Sequence, residues 1–195
     1  MSKDGDPLSR PLTAAEFECL MTALGPFEER PHIAVGCSGG ADSMALTLLL
    51  HAWADARRGT VTALTVDHKL RPESTSEART VKAWLRKRGI PHVTLTLAEG
   101  QIDGNVQAGA RAARYTAMAD WCRRKGVLHI ALAHHREDQS ETLLLRLARG
   151  SGVDGLAAMA PVSELPDLRL LRPLLSVSKR RLLTNLAQVG QQHIE

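Results

Sequence analysis

A short glycine-rich segment follows the first apolar run of the chain and leads into a helical pattern. It reads Ser38-Gly39-Gly40-Ala41-Asp42-Ser43. Paired glycines let backbone N–H groups approach a ligand closely, the serine hydroxyls add donors, and a helix N-terminus attracts anions. A carboxylate beside such a site repels phosphate unless a divalent cation lies between them, so Asp42 predicts Mg²⁺ together with a phosphate ligand.

Three other interpretations of this segment are weaker. It lacks the Gly-Lys-Ser/Thr ending of a Walker A loop and the three-glycine spacing of the dinucleotide-binding fingerprint, which disfavours both. A simple capped turn between a strand and a helix would explain the glycines and serines, but it would leave the acid unexplained. We therefore expect an anion-binding loop.

Polar side chains also follow two other apolar runs. Asp67 and His68 come after the second, and a polar string that begins with His134 and His135 and includes Asp138 comes after the fourth. Because ligands of open α/β sheets bind at the carboxyl ends of the strands, these residues should lie near the glycine-rich segment. For Asp67 the alternative is a turn former.

The polar string predicts a helix with acids near its start. Asp138, Glu141 and Thr142 would share one face of that helix and would place carboxylates opposite the glycine-rich segment. Alternation along a strand would send His134 and His135 in opposite directions, which makes them a poor zinc-chelating pair.

A basic face is predicted on the third long helix. Arg111, Arg114 and Tyr115 fall at helical spacings that place them together. Guanidinium groups suit bidentate phosphate recognition, although exposed basic faces are common on helices without a ligand.

Short apolar runs alternate with longer amphipathic stretches along the chain. The runs 32–37, 61–66, 92–97 and 127–133 predict strands, and 42–57, 73–88, 105–125 and 137–149 predict helices. Helices are also expected at 12–24, where Thr13 and Glu16 have the spacing of a capping box, and at 178–189. Helical crossovers between buried strands specify a doubly wound, mostly parallel α/β sheet with helices on both faces. Gly59, Gly89 and Gly126 should provide left-handed helix ends.

Composition limits the class of protein. The 195 residues are 44% hydrophobic and carry a net charge of +4, and their longest apolar stretches are too short for a membrane span. The three widely spaced cysteines indicate reduced thiols, without a cluster or a structural metal. We expect a cytoplasmic protein that does not associate with membranes. The basic clusters could meet nucleic acid or could simply be solvated helix ends.

The string S-G-G-x-D-S resembles the signature of the PP-loop ATP-pyrophosphatases, which cleave ATP to AMP and pyrophosphate. Four further strings resemble the tRNA(Ile)-lysidine synthetases within that superfamily: V-D-H-x-L-R from residue 66, A-R-x-x-R-Y from 110, A-H-H-x-x-D-Q-x-E-T-x-L-x-R-L-x-R-G-S-G from 133, and R-P-L-L from 172. The resemblance spans roughly residues 32 to 190. It implies an adenine nucleotide alpha-hydrolase-like fold and the ATP-dependent joining of L-lysine to carbon two of the wobble cytidine of tRNA(Ile).

The resemblance also implies roles for individual residues. ATP would bind at Ser38 to Ser43 with Asp67 and His68 nearby, and Asp42 and Asp138 would hold Mg²⁺. The catalytic residues would be Asp42, Asp138, His134 and Arg114, where either a carboxylate or His134 takes the proton of the lysine amine. Contacts to tRNA would come from Arg111, Arg114, Tyr115, Arg149 and Arg172.

The predicted organisation is a leader and helix at 1–30, a catalytic domain at 31–177, and the start of a helical segment at 178–195 that looks truncated beside the family. Two alternatives to lysidine formation stay open. One is another PP-loop tRNA-modifying enzyme such as a thiolase, which the missing cysteine pairs disfavour, and the other is a non-catalytic nucleotide-binding module. The lysine pocket, a homodimeric state and the discrimination of the anticodon are left open.

Overall fold

The chain folds around one six-stranded sheet. A computed structural model describes residues 9–67, 72–97, 106–148 and 158–195. The strands are β1 (His32–Gly36), β2 (Thr60–Asp67), β3 (His92–Thr96), β4 (His129–Ala131), β5 (Val162–Leu165) and β6 (Leu168–Leu171). The helices are α1 (Ala14–Thr22), α2 (Ala41–Asp55), α3 (Pro72–Lys87), α4 (Val106–Lys125), α5 (Arg136–Ala148) and α6 (Lys179–Gln188).

The strand order is β3-β2-β1-β4-β6-β5, and all neighbours are parallel except β5 and β6. Because β1 is central, the chain crosses first to β2 on one side and later to β4 on the other. This reversal creates the crevice at which open α/β sheets bind ligands. The predicted doubly wound, mostly parallel sheet is confirmed. The hairpin of β5 and β6 adds two strands to the four that the apolar runs predicted.

Each face of the sheet carries its own hydrophobic core. On β1, Ile33 and Val35 pack with α1, α2, α3 and α6, whereas Ala34 packs with α4. Alternation of side chains along a strand requires this division, and short apolar residues on both sides mark β1 as a strand covered on both faces. Helices cover both faces, as predicted.

The two predicted flanking segments pack on this same sheet. The capping box of α1 is confirmed, because Thr13 Oγ1 accepts from Glu16 N–H (3.2 Å) and Glu16 Oε2 accepts from Thr13 N–H (2.9 Å). Arg181 of α6 reaches Glu16 Oε2 at 2.8 Å. The Thr13 backbone bond and the Arg181 contact together lower the pKa of Glu16 to about 2. This pairing fastens the first helix to the last.

Two local predictions need correction. Gly89 and Gly126 have the expected left-handed φ (+70° and +64°), but at the end of α2 Arg58 takes this conformation in place of Gly59. Position 59 requires glycine for a different reason, because a Cβ there would lie 2.4 Å from the carbonyl oxygen of Pro31. Strand β4 ends at Ala131, two residues short of the predicted end, so the histidines that follow belong to a loop.

None of the helices in the described ranges combines the length and the apolarity needed to cross a bilayer.

Candidate functional site

A cavity of about 550 Å³ opens at the carboxyl ends of β1, β2 and β4. Its position is the crevice that the strand order creates beside β1. Eight of the residues predicted for the site line it: Ser38, Gly40, Asp42, Ser43, Arg114, Tyr115, His134 and Asp138. The prediction that these three distant segments meet at one edge of the sheet is confirmed.

The glycine-rich loop between β1 and α2 is held by its own hydroxyl groups. Ser38 N–H donates to Ser43 Oγ (3.2 Å), and Ser43 Oγ donates to the carbonyl oxygen of Gly40 (3.0 Å). Gly39 has a φ of +92°, a conformation that favours glycine, and the side chain of Ala41 is buried in the core. Gly40 caps α2 without a side-chain bond, which leaves N–H groups of the first turn available for an anion.

Asp42 has one oxygen that is satisfied and one that is not. Its Oδ2 lies 3.4 Å from His135 Nε2 and 3.8 Å from Lys179 Nζ. Its Oδ1 is buried and has no hydrogen-bond partner within the described part of the chain. A buried carboxylate oxygen without a partner is costly, and a cation is the ligand that would satisfy it.

Asp138 lies on the same rim as Asp42 and lines the same cavity. Its Oδ2 accepts from the backbone N–H of His135 at 2.8 Å, just before α5 begins, so it also stabilises the start of that helix. Among the described residues no cluster of three or more acidic, histidine or cysteine side chains could hold a metal. Two carboxylates nevertheless suit Mg²⁺, which commonly takes one or two carboxylates and completes its shell with water and phosphate oxygens.

Two further neighbours of Asp42 are His135, which the sequence placed near the loop without giving it a role there, and Lys179, which the sequence did not place there. The side chain of His135 is 7% exposed, and its Nδ1 lies 3.1 Å from Glu137 Oε2, without hydrogen-bond alignment. Lys179 begins α6, where its backbone N–H donates to the same Glu137 oxygen (3.1 Å). The loop, α5 and α6 are thus joined at one point. A signal existed for Lys179, which belongs to a basic cluster at a predicted helix start.

The opposite side of the cavity is cationic. The ring of Tyr115 has the Arg111 and Arg114 guanidinium carbons 5.5 and 5.8 Å from its centre, which confirms that these three residues share a face. Arg111 also lies 3.1 Å from His134 Nε2. We name Arg111, Arg114, Tyr115 and His134 the cationic side.

His134 is a poor proton acceptor in this arrangement. Burial, followed by the charges of Arg111 and Arg172, lowers the pKa of His134 to about 4. Because a guanidinium can only donate, the contact with Arg111 also occupies the lone pair of Nε2. Of the two bases that the sequence left open for the lysine amine, the geometry favours a carboxylate.

A sequence model of the PP-loop domain matches residues 12–195. The chain belongs to the PP-loop domain family. Curated relatives named tRNA(Ile)-lysidine synthase include one from a Bradyrhizobium strain, 46% identical over 182 residues, which covers 92% of this chain and 50% of that protein. Another, from Orientia tsutsugamushi, is 40% identical over 168 residues and covers 86% of this chain and 38% of that protein. The chain therefore spans about half, or less, of the length of these relatives.

A solved structure has the same fold. The U34-tRNA thiolase NcsA from Methanococcus maripaludis, determined with its [4Fe-4S] cluster, superposes with a TM-score of 0.77 at 16% identity. The match covers 92% of this chain and 64% of the thiolase. The three cysteines of the present chain are free, and Cys37 and Cys122 are buried on opposite faces of the sheet.

Several predicted site residues of this PP-loop domain lie beside the cavity or outside the described residues. Asp67 accepts from Ser74 Oγ (2.6 Å) and Thr75 Oγ1 (2.7 Å) and so anchors the first turn of α3, while Ser74 itself lines the cavity. Glu141, predicted to face the loop, is exposed on α5 and is absent from the lining. His68 and Arg149 lie outside the described residues.

Arg172 was predicted to contact tRNA, and its hydrogen bonds have a structural role. It donates from Nη1 to the carbonyl oxygen of Ala160 (2.8 Å) and to Ser163 Oγ (2.9 Å), which ties β6 to the start of β5. Burial lowers the pKa of Arg172, and its Nε is buried without a partner in the described ranges. Gln139 of the polar string has a similar role, because it holds the backbone of Met159 with two hydrogen bonds of 2.7 and 2.9 Å.

Proposed function

We propose that this PP-loop domain performs the ATP-dependent chemistry of lysidine formation. In this reaction L-lysine is joined to carbon two of the wobble cytidine of tRNA(Ile), and AMP and pyrophosphate are released. The observation that carries the proposal is the placement of Asp42 and Asp138 on one rim of a cavity that also contains the PP-loop. The identity of 40 to 46% with proteins named tRNA(Ile)-lysidine synthase supports the choice of reaction.

ATP phosphates would bind at the PP-loop, where the N–H groups of α2 and the hydroxyls of Ser38 and Ser43 supply donors. Arg114, across the cavity, suits the phosphate that is attacked, because its fork of donors can follow charge that develops on the oxygens. Asp42 and Asp138 would hold Mg²⁺, with the unsatisfied Oδ1 of Asp42 as one ligand. The ion would neutralise phosphate charge when bound.

The reaction requires two transfers. In the first, O2 of the cytidine attacks the α-phosphorus of ATP, and the bond to pyrophosphate breaks. In the second, the ε-nitrogen of lysine attacks carbon two, and the C2–O bond breaks as AMP leaves. The amine must lose a proton, and we assign its acceptance to a carboxylate of the cavity rather than to His134, because Arg111 occupies the lone pair of His134 Nε2.

The tRNA would approach from the cationic side. Arg111 and Tyr115 stand at the edge of the cavity with exposed or half-exposed side chains, and a guanidinium next to an aromatic ring suits both phosphate and a stacked base. Arg149 remains a predicted tRNA contact.

Pyrophosphate release tests this function. The purified chain is incubated with ATP, Mg²⁺, L-lysine and a tRNA(Ile) transcript, and we expect pyrophosphate only when the transcript carries the wobble cytidine. A transcript with uridine at that position is the matched control, and the Bradyrhizobium relative serves as the positive control. ATP binding without any tRNA-dependent pyrophosphate would instead favour the nucleotide-binding module.

A further inference from the structure

The segment that follows α6 turns back and contacts the PP-loop. Gly190, with a φ of +60°, reverses the chain after the helix, and Gln191 N–H bonds to the carbonyl oxygen of Leu186 (2.9 Å). Ile194 N–H then donates to the carbonyl oxygen of Gly39 at 2.9 Å, and Ile194 forms a parallel bridge with Gly40. We name residues 190–194 the return segment.

Arg88, just beyond α3, fixes the return segment in place. Its Nε donates to Gln191 Oε1 (2.7 Å), and its Nη2 donates to the carbonyl oxygen of Val189 (2.9 Å). A charged donor with two acceptors holds this segment more firmly than one neutral bond would. The position of Ile194 therefore depends on α3 as well as on α6.

The side chain of Ile194 fills the space under the loop. A Cβ at Gly39 would lie 2.7 Å from Ile194 Cδ1 and 2.6 Å from Val81 Cγ2, so the loop backbone rests between the return segment and α3. Ile194 is half-buried and packs against the first hydrophobic core. The contact leaves the loop no room to move toward these two side chains.

The hydrogen bond from Ile194 has a direct effect on a phosphate donor. In a planar trans peptide the carbonyl and the following N–H point in opposite directions. Because the carbonyl of Gly39 is held toward Ile194, the N–H of Gly40 is turned away from Ile194, and Gly40 lines the cavity. This N–H has only a long contact of 3.5 Å to Ser38 Oγ, which leaves it available for an anion.

We propose that Ile194 is a positioning residue of the PP-loop, which orients the Gly39–Gly40 peptide for the phosphates of ATP. This inference rests on the proposed binding of ATP at the loop. A donor that is oriented before the ligand arrives costs less free energy on binding than one that must be ordered. The return segment thus contributes to ATP affinity without touching ATP.

Binding of ATP with Mg²⁺, and of adenosine alone, to four variants tests the proposal by calorimetry. Ile194→Pro removes the N–H. Ile194→Ala keeps the N–H but opens space under the loop, Ile194→Val keeps the N–H and removes only the Cδ1 methyl, and Arg88→Ala frees the return segment. We expect ATP affinity to fall about 10-fold for the proline variant, about 3-fold for the alanine and Arg88 variants, and less than about 2-fold for the valine variant. Adenosine affinity should stay unchanged, because adenosine has no phosphate.

The outcomes separate this inference from the proposed function. If the unaltered chain does not bind ATP, the proposed function fails first. If it binds ATP and both Ile194→Ala and Arg88→Ala bind it equally well, the positioning role is wrong, even if the proline variant does not fold. Equal losses for ATP and adenosine would also overturn it, since they would indicate general damage. If the losses of ATP affinity in Ile194→Ala and Arg88→Ala do not add in the double variant, both residues act through the position of the return segment, as proposed.

Discussion

The PP-loop side of the cavity is held by backbone hydrogen bonds and close packing, whereas the cationic side is held by contacts between long side chains. Gly39 has Val81 and Ile194 against it, and its carbonyl is bonded to Ile194. On the other side Arg111 is exposed, and its guanidinium contacts Tyr115 and His134. Flexible side chains can adjust at little cost, but a packed backbone cannot.

This difference indicates a division of roles. Under the proposed function, the loop side would offer a fixed set of donors to a phosphate chain of constant shape, and the cationic side would accommodate the larger tRNA. Substitutions on the loop side should therefore have large effects, because they disturb the geometry of the loop. Those on the cationic side should act gradually and through charge, which makes them sensitive to salt.

The largest effect is expected from Gly39→Ala. The new Cβ would meet Val81 and Ile194 at less than 3 Å, and the φ of +92° strains any L side chain, so we expect the free energy of unfolding to fall by about 2–4 kcal/mol. Gly40→Ala is the matched control, because a Cβ there would have its nearest neighbour at 3.6 Å. Urea unfolding of both variants measures the difference. Equal stabilities would show that the loop is not packed as described.

The next largest effect is expected on the rate of pyrophosphate release when the charge of Asp42 or of Asp138 is removed. Asp42→Asn should lower the rate of pyrophosphate release about 100-fold, because its Oδ1, which has no partner among the described residues, is the oxygen assigned to Mg²⁺. Asp138→Asn should lower it about 10- to 100-fold and should also weaken the start of α5, where its Oδ2 is bonded.

Asp167→Asn is the control for both acids, since Asp167 is exposed in the β5–β6 turn and pairs with Arg123. Its rate should match that of the unaltered chain. Normal turnover of both Asp42→Asn and Asp138→Asn would refute the assignment of the metal.

Local patterns predicted much of this architecture, because they depend on nearby residues. The PP-loop was recognisable since its glycines, serines and acid are contiguous, and the capping box of α1 needs only Thr13 and Glu16. The β5–β6 hairpin was not predicted as strands. Its segments have four residues each, and β5 carries Ser163 and Glu164 at an edge where no apolar pattern is required.

Contacts between distant parts of the chain gave no such signal. The prediction that His134 and His135 point in opposite directions relied on alternation within a strand, and β4 ends before either histidine. Ile194 meets Gly39, and Lys179 meets Asp42, only because α6 returns to the first core. Nothing near Ile194 in the sequence indicated its contact, and the basic cluster that contains Lys179 did not indicate Asp42 as its neighbour.

A smaller, graded effect is expected on the cationic side. Arg114→Ala should lower kcat/KM for tRNA-dependent pyrophosphate release about 10-fold, and Arg114→Lys should restore part of it, because a lysine keeps the charge and loses the fork of donors. The loss should shrink as salt is raised. Arg124→Ala, in the exposed last turn of α4, is the control on the same helix. If Arg114→Ala is salt-independent, this side also acts through geometry.

The smallest expected effect is on the pH dependence of stability, to which each side of the cavity contributes one histidine. On the loop side His92 Nε2 lies 2.8 Å from Thr65 Oγ1, which donates to the carbonyl oxygen of Cys37 just before the loop (2.6 Å). Burial, with a smaller effect of Lys82, lowers the pKa of His92 to about 4, the same value to which burial lowers the pKa of His134. Both histidines are therefore neutral in the folded chain at pH 7.

The sign of the pH dependence follows from that neutrality. Below its usual pKa of 6.5 a histidine binds a proton in the unfolded chain, but these two resist protonation when folded, so stability falls as the pH drops from 6.5 towards about 4. Allowing for partial exposure, we expect each histidine to lower the free energy of unfolding by about 1 kcal/mol between about pH 7 and 5. His92→Gln should remove the loss due to His92, and His134→Gln should remove the loss due to His134. Glu16, whose pKa is lowered from 4.5 to about 2, changes its contribution below this window. ATP with Mg²⁺ should alter only the loss of stability that is due to His134. The reason is that phosphate in the cavity would raise the pKa of a histidine that lines it. An equal change in the loss due to His92 would show that the two sides are not independent.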